Sequence, residues 1–160
     1  MLRKKYLRHL TIIFFIVISI KGFSQGSPEN KISKNTFMAE LSINNDLDLY
    51  SILYDRLLKS NGTLNFGLQT GLTFSTAVET GEKGYSIFYP IKGYFLIGKS
   101  NHKLETGFGV RILGFVFPDI NVGYRYKPKE NGLVFRAGYN GFVLPGGLNN
   151  LVSLSIGYTF

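Results

Sequence analysis

Leu151-Val152-Ser153-Leu154-Ser155-Ile156-Gly157-Tyr158-Thr159-Phe160 is the stretch that decides the fold. Every second residue from Val152 to Phe160 is apolar, and the positions between them hold serine, glycine and threonine. This period of two predicts a β-strand with one wholly uncharged face. Such a strand fits either a secreted soluble barrel or sandwich, or a barrel whose apolar face meets lipid. The rest of the chain must decide between the two.

The N-terminal segment has the pattern of a secretory signal peptide. Arg3, Lys4, Lys5 and Arg8 precede an apolar run from 10 to 20, and Gly22 and Ser24 are the small residues before a predicted cut. Cleavage is predicted between Ser24 and Gln25. A membrane-anchoring helix is the alternative, but the run is about half of the roughly 20 residues that span a bilayer. We therefore expect 1–24 to be a signal peptide and 25–35 a flexible lead.

Removing the signal changes the meaning of the charge. The chain has 18 basic and 10 acidic residues. Five of the basic residues and none of the acidic ones lie in 1–24, which leaves thirteen against ten, a net charge of +3. No basic block remains, so the sequence gives no support for nucleic-acid binding. The absence of cysteine excludes disulfides and cysteine metal sites.

The mature part reads as one domain over 36–160 with eight strands separated by turn residues. The strands are predicted at 36–44, 47–58, 63–75, 85–98, 102–113, 119–126, 132–142 and 151–160. The second strand has mixed parity because Asp48, Asp55 and Arg56 cannot share a face, and a β-bulge would resolve this conflict. Pro90 predicts a local kink in the fourth strand. Phe115 to Pro118 is interpreted as a loop.

The charged residues decide between the two kinds of barrel. In the seven other strands they all lie on the parity opposite to the apolar one: Glu40, Lys92, Lys103, Glu105, Arg111, Asp119, Arg125 and Arg136. An Arg or Lys facing lipid near the midplane costs about 2–4 kcal/mol, whereas a lumen tolerates it. The pattern therefore predicts an all-β, eight-stranded antiparallel up-and-down transmembrane barrel, with its apolar face outward and its polar face inward.

Turns and aromatic residues agree with this prediction. Connections at 59–62, 99–101 and 127–131 would be short periplasmic turns, and those at 44–46, 76–84, 114–118 and 143–149 modestly longer external loops. The aromatic residues of the apolar face fall near the two rims, as expected for interfacial girdles. Near the periplasmic rim these are Phe37, Phe66, Phe95, Tyr126, Phe135, Tyr158 and Phe160, and near the outer rim Phe74, Tyr85 and Tyr139.

Four segments carry a family resemblance. They are 51–56 (SILYDR), 96–109 (LIGKSNHKLETGFG), and 122–126 (VGYRY) with 135–138 (FRAG). They resemble recurring segments of small, mostly uncharacterised outer-membrane β-barrel proteins of the Bacteroidota, with Leu53 and Asp55 departing from the more usual Asn and Glu. The resemblance implies outer-membrane location and supplies no catalytic residues. The final strand is likewise similar to the signal that the barrel-assembly machinery reads, here Val152, Leu154, Ile156, Tyr158 and Phe160.

Catalytic and metal-binding constellations are scarce. His102 is the one histidine after the signal, and its position at the edge of a turn is typical of a solvated residue. Paired carboxylates for catalysis or a Ca²⁺ cage are conceivable. We expect instead a lumen charge network in which the acids pair with the bases, because buried charges need partners. Its members would be Glu40, Asp55, Lys92, Glu105, Arg111, Asp119, Arg125 and Arg136. No catalytic, cofactor or metal site is predicted.

The sequence thus predicts a monomeric outer-membrane protein with a side-chain-filled lumen, a structural or surface-interaction role and no catalysis. Its expected partners are outer-membrane lipid, the barrel-assembly machinery during insertion, and a surface partner that the sequence does not identify, met through 76–84 and 144–150. The alternative is a secreted, soluble, lipocalin-like barrel that binds an apolar ligand. It requires the opposite polarity, with an apolar interior and a polar exterior.

Overall fold

The structure, a computed structural model, describes residues 33–45, 47–79, 82–144 and 147–160. The side chains at 77–79, 82–83 and 144 also lie outside this description. The predicted signal peptide and most of the predicted lead fall outside the described residues. The predicted cleavage point lies there too, since neither Ser24 nor Gln25 is described, and it stays a prediction. Within the described ranges, no helix is long and apolar enough to cross a membrane.

The fold is a closed barrel of eight antiparallel strands, which confirms the predicted fold class. Each strand pairs with the next in the chain, and β1 pairs with β8 to close the sheet. The strands are β1 Asn35–Ile43, β2 Leu47–Ser60, β3 Leu64–Glu79, β4 Glu82–Ile97, β5 His102–Leu113, β6 Phe115–Tyr126, β7 Gly132–Leu144 and β8 Gly147–Thr159. Closure leaves no unpaired sheet edge between neighbouring strands.

The two ends of the barrel differ in their connections. We call "base" the end at which β1 begins and β8 ends, with turns at 61–63, 98–101 and 127–131. We call "tip" the opposite end, with connections at 44–46, 80–81, 114 and 145–146. At the base the closing seam is fastened by two backbone hydrogen bonds between Asn35 and Phe160, of 3.1 and 2.9 Å.

The tip differs from the prediction. Phe115 to Pro118 is not a loop, because β6 begins at Phe115 and these four residues pair with β5. The chain can reverse at Gly114 alone because its φ of 65° is easily reached only by glycine. The expected loops at 76–84 and 143–149 are also largely taken up by strands, so the prediction of longer external loops is wrong. Both errors arose because turn-forming residue types were interpreted as loops.

The mixed parity of β2 is explained without the predicted bulge among Asp48, Asp55 and Arg56. Asp55 is buried inside, whereas Asp48 and Arg56 lie on the outward parity at opposite ends of the strand, where side chains reach the rims. A β-bulge is present, but it lies at Leu57/Lys59, beyond all three residues. The bulge therefore alters the end of the strand, and it does not determine which faces Asp48, Asp55 and Arg56 occupy. At Pro90 the ladder between β3 and β4 is interrupted between Thr70↔Ile91 and Thr73↔Phe88, as a residue without an N–H requires.

The two faces of the sheet have opposite polarity. Along β8, Val152, Leu154 and Ile156 are 57%, 61% and 53% exposed, whereas Ser153 and Ser155 are buried. The same alternation continues around the barrel, so the outside is a belt of exposed Leu, Ile, Val, Phe and Tyr side chains. The inside holds charged, polar and a smaller number of apolar residues.

Candidate functional site

The barrel interior contains all eight residues that the sequence grouped as a charge network. Each is at most 5% exposed: Glu40, Asp55, Lys92, Glu105, Arg111, Asp119, Arg125 and Arg136. They come from β1, β2 and β4 to β7, and each points inward because it occupies the inner parity of its strand. Four carboxylates face four basic groups, so the set is balanced in formal charge. The structure brings them together in two groups.

The first group, which we call the central charge chain, crosses the barrel as Asp55, Arg125, Glu105, Arg136 and Glu40. Arg125 links two acids, with Nη1 2.5 Å from Asp55 Oδ2 and Nε 2.5 Å from Glu105 Oε2. Arg136 continues the chain, with Nη1 3.1 Å from Glu105 Oε1 and Nη2 against Glu40 Oε2. Each arginine fork therefore serves two carboxylates, a geometry that lysine could not reproduce.

Amide and hydroxyl side chains complete the coordination of these acids. Gln69 donates to Asp55 Oδ1 at 2.7 Å, and Asn121 donates to Glu105 Oε1 at 2.9 Å. Ser155 donates to Glu40 Oε2 at 3.0 Å. The ring of Tyr94 stacks under the guanidinium of Arg125, 4.8 Å from its centroid. The charge network predicted from the sequence did not include these supporting residues, although their inward parity would have identified them as candidates.

The second group, the upper triad, lies nearer the tip and consists of Lys92, Asp119 and Arg111. Arg111 Nε donates to Asp119 Oδ2 at 2.6 Å, and Lys92 Nζ is 3.4 Å from the same oxygen. Among the described residues, Lys92 Nζ, Arg111 Nη1 and Asp119 Oδ1 have no hydrogen-bond partner, whereas in the central charge chain this holds for Arg125 Nη2. The triad is therefore less completely satisfied than the central charge chain. Gly109 lies beside Lys92, where a Cβ would collide with the lysine backbone and stem.

A cluster of buried apolar side chains, which we call the apolar plug, lies in the interior above the upper triad. Phe88 contacts Phe117 and Phe142, with ring centroids 6.5 and 6.3 Å apart, and Arg111 stacks on Phe142 at 4.9 Å. The rest of the plug is a buried cluster of Leu47, Leu49 and Leu151 around Phe142. The sequence did not predict this plug. The available signal was the inward parity of β2, which places apolar Leu47 and Leu49 inside.

A buried lysine joins the two strands of the seam at the base, in an arrangement that we call the polar latch. Lys127, from the turn between β6 and β7, is 4% exposed and donates to Thr36 Oγ1 at 2.9 Å and to Thr159 Oγ1 at 2.7 Å. Those two threonines are opposite each other across the β1–β8 seam. Burial, followed by the nearby charge of Arg125, lowers the pKa of Lys127 to about 8. A lysine that belongs to neither β1 nor β8 thus joins these two strands by hydrogen bonds.

The exterior carries aromatic pairs near the base. Phe37 contacts Tyr54 and Phe160, with centroids 5.3 and 6.1 Å apart, and Phe66 contacts Phe95 at 5.2 Å. Further round the barrel Tyr126 contacts Phe135 at 6.4 Å. Aromatic side chains at one level of an apolar belt are typical of the girdles at the interface of transmembrane β-barrels.

An apolar groove crosses the exterior at two small residues, Ala39 and Ala137. The side chains of Leu154 and Ile156 lie between these alanines, on β8. The groove exists because alanine leaves space where the neighbouring strands carry large side chains. It belongs to the outward belt and not to the interior, which is where a lipocalin-like ligand would have to bind.

Catalytic groupings are not apparent in the described part of the chain. His102 lies at the base, exposed, with Nδ1 2.5 Å from the hydroxyl of Tyr124 and its ring beside Tyr126. Among the described residues, no three His, Asp or Glu side chains form a group that could hold a metal ion. The carboxylates that might act as a catalytic pair are instead held by arginines.

The geometry defines a class: a small closed barrel with exposed apolar side chains on its outer face and buried charged side chains on its inner face. Among solved structures, the chain is similar to the Yersinia pestis outer membrane protein Ail, whose backbone structure was solved in a phospholipid bilayer nanodisc. The two chains are 12% identical, the TM-score is 0.57, and the match covers 80% of this chain and 99% of Ail. This likeness shows a shared fold. No protein-family model and no curated protein matches the chain.

Proposed function

We propose that this chain is an integral outer-membrane protein, exported through its signal peptide, with a polar and side-chain-filled lumen. The observation that carries the proposal is the inverted polarity of the barrel. Leu154 is 61% exposed and Ile120 59%, whereas Arg125 and Asp55 are fully buried. A water-soluble barrel has the reverse arrangement, since large apolar patches are rare on soluble monomers and charges are almost never buried.

Energetics favours the same assignment. A contiguous apolar belt in water costs about 25 cal/mol for each Å² that could have been buried, and a bilayer removes that cost. Inside, the four bases and four acids of the charge network compensate one another, which lowers the cost of burying them. The secreted, ligand-binding alternative would need an apolar cavity inside, where the central charge chain lies instead.

The lumen is proposed to be closed to diffusion and free of catalysis. An eight-stranded barrel is just wide enough for its own side chains. Here the apolar plug, the two charged groups and the Lys127 latch succeed one another from tip to base. Conductance measurements on planar bilayers should show no stable channels of porin size. Such channels would contradict the closed lumen and leave the membrane assignment intact.

The proposed role is structural, or one of surface interaction at the tip. Outer-membrane lipid covers the belt, and the barrel-assembly machinery reads the outward face of β8, where Val152, Leu154, Ile156, Tyr158 and Phe160 are 47–61% exposed. We further propose that the protein is a monomer and belongs with the small barrels of the Bacteroidota that its segments resemble. A surface partner would meet the strand ends at 76–84 and 144–150.

Fractionation tests the proposal. The outer-membrane fraction is analysed by gel electrophoresis with and without boiling, because folded membrane barrels resist detergent and migrate differently when unfolded. A band in this fraction whose mobility changes on heating is the expected result. Recovery in the soluble fraction without a change in mobility would overturn the proposal and favour the secreted, ligand-binding barrel.

A further inference from the structure

Exposed basic side chains surround the base of the barrel. Around its circumference lie Lys34 before β1, Arg56 and Lys59 at the end of β2, Lys99 between β4 and β5, and Lys129 between β6 and β7. Arg56 is half-buried and the four lysines are exposed. We call these five residues the basic ring. The acidic residue among the base turns is Glu130, so the described part of this end carries a clear excess of positive charge.

The β-bulge of β2 places one member of the ring on the outer face. Leu57 pairs with Gly67, but the next pair is Lys59 with Phe66, since the bulge adds one residue to β2. Phe66 points outward and contacts Phe95. Without the bulge, Lys59 would oppose Asn65 and point into the lumen. With it, Lys59 lies on the lipid-facing side, beside the aromatic pair. Bulges commonly redirect a side chain in this way.

Arg56 occupies the matching position just before the bulge. It is two residues past Tyr54 on the same outward parity, and Tyr54 is part of the aromatic cluster with Phe37. Long cationic side chains at such a position extend along apolar surface and place their charge at the headgroup level. Arg56 and Lys59 therefore lie directly below the aromatic level of the base.

The side chains of the basic ring make no ion pairs among the described residues. Every ion pair found among those residues lies in the interior. The opposite end has the opposite charge. Asp48 lies near the tip on the outward parity, and the sequence places Glu79, Glu82 and Lys83 next to the connection between β3 and β4, so acids outnumber bases there by three to one. The barrel thus has a basic base and an acidic tip.

We propose that the basic ring binds the phosphate headgroups of anionic glycerophospholipids in the leaflet that surrounds the base. The inference rests on the proposed membrane residence. Charge complementarity supports this partner, as does continuity of the ring with the aromatic level, where headgroups meet acyl chains. Arg offers a planar fork and Lys a point charge to phosphate oxygens. The acidic tip would repel the same lipids, so the ring also favours one orientation of the barrel.

Native mass spectrometry of the folded barrel measures this preference. The protein is taken from vesicles that contain equal amounts of phosphatidylglycerol and phosphatidylcholine with the same acyl chains. Each basic residue at a membrane surface is worth about a five-fold preference for an anionic lipid. We therefore expect the retained lipid to be enriched at least about five-fold in phosphatidylglycerol, and the enrichment to vanish near 1 M salt, where the Debye length is about 3 Å.

Two variants and a matched control assign the effect to the ring. Replacing all five ring residues, Lys34, Arg56, Lys59, Lys99 and Lys129, by glutamine should abolish the enrichment. The double variant Lys99→Gln with Lys129→Gln changes only turn residues, so it tests the ring even if the larger variant folds poorly. It should lower the phosphatidylglycerol enrichment several-fold. The control, Asp48→Asn with Glu79→Gln and Glu82→Gln, alters the charge of the tip and should leave the enrichment unchanged.

The outcomes separate this inference from the proposed function. A folded, heat-modifiable barrel without preference for phosphatidylglycerol, or with the same preference in the ring variants, overturns the inference while the membrane assignment stands. Stronger retention of a lipid A-type glycolipid than of phosphatidylglycerol also overturns it, because the ring would then face the other leaflet. Failure to enter vesicles of any composition overturns the membrane assignment and the inference together.

Discussion

The two ends of the barrel interior have opposite chemistry. At the tip the plug is apolar, with Phe142, Leu49 and Leu151 completely buried. At the base a single buried cation, Lys127, holds Thr36 and Thr159 together across the seam. The tip closure depends on close packing, which is insensitive to pH, whereas the base closure depends on hydrogen bonds from a titratable group. Between the two ends lies the central charge chain. Each of its arginines pairs with two acids, so the loss of one arginine would leave two carboxylates without that partner.

Removing the cation that two acids share should have the largest effect. Arg125→Met leaves Asp55 and Glu105 buried without that partner, so we expect a loss of about 3–5 kcal/mol in the free energy of unfolding. Urea unfolding in micelles or vesicles measures it. Arg56→Met is the matched control on the outer face and should change stability by about 0.5 kcal/mol or less. A loss below about 1 kcal/mol for Arg125→Met would mean that the interior is hydrated and not closed.

The apolar plug should respond to loss of volume. Leu49 is completely buried, and Leu49→Ala should cost about 2–3 kcal/mol in urea unfolding, because it removes apolar contacts and leaves a cavity. Leu148→Ala changes an outward residue of the same end that is 60% exposed and should have little effect. Equal losses for the two variants would show that the plug is not packed as described.

The base latch should make stability depend on pH. Because the folded pKa of Lys127 is about 8 and the unfolded one about 10.5, the unfolded chain binds more protons between these values, and stability rises with pH there. The contribution of this group grows by about 1.5 kcal/mol from pH 8 to 9.5. Comparing urea unfolding of the native chain and Lys127→Met isolates it from other titrating groups. A pH dependence that persists unchanged in Lys127→Met contradicts the latch.

The turns at the two ends should give the smallest effects and should resemble each other. Gly62 at the base and Gly114 at the tip have φ of 70° and 65°, and a Cβ at either position would meet no neighbour within 4 Å. Alanine at either position should therefore lower the free energy of unfolding by about 1 kcal/mol, the cost of a left-handed backbone conformation for a residue with a Cβ, and asparagine should lower it less. A much larger loss at one end, in the same unfolding assay, would reveal contacts of that turn beyond its backbone conformation.

Much of this architecture follows from period two alone. Alternation places Arg125 and Glu105 on the inward parity and Leu154 on the outward one, and the count of apolar runs gives eight strands. The extent of the tip strands could not be predicted, because Phe117 and Pro118 pair only through the register that Gly114 sets. The apolar plug was missed for a related reason. Leu47 and Leu49 are apolar and would therefore be expected on the outer face. They lie inside because they share the parity of Asp55, which points inward.

The pairing within the interior is less accessible from sequence. Arg125 and Asp55 are 70 residues apart and meet across the lumen, so their contact depends on the stagger between non-adjacent strands. The position of Lys127 in a turn likewise gave no sign that it would reach the β1–β8 seam. Parity identifies which residues share the interior, and only the closed barrel determines which of them touch.

The polarity of the barrel can be measured directly, because the chain has no tryptophan. Tyr139 and Phe142 lie three residues apart on β7, 45% exposed on the outer face and completely buried inside, respectively. Tyr139→Trp and Phe142→Trp therefore report on the two faces of one strand. Quenching of tryptophan fluorescence by brominated phospholipid in vesicles should be strong for Tyr139→Trp and weak for Phe142→Trp. Strong quenching of Tyr139→Trp by aqueous iodide, with none by the brominated lipid, would contradict the account.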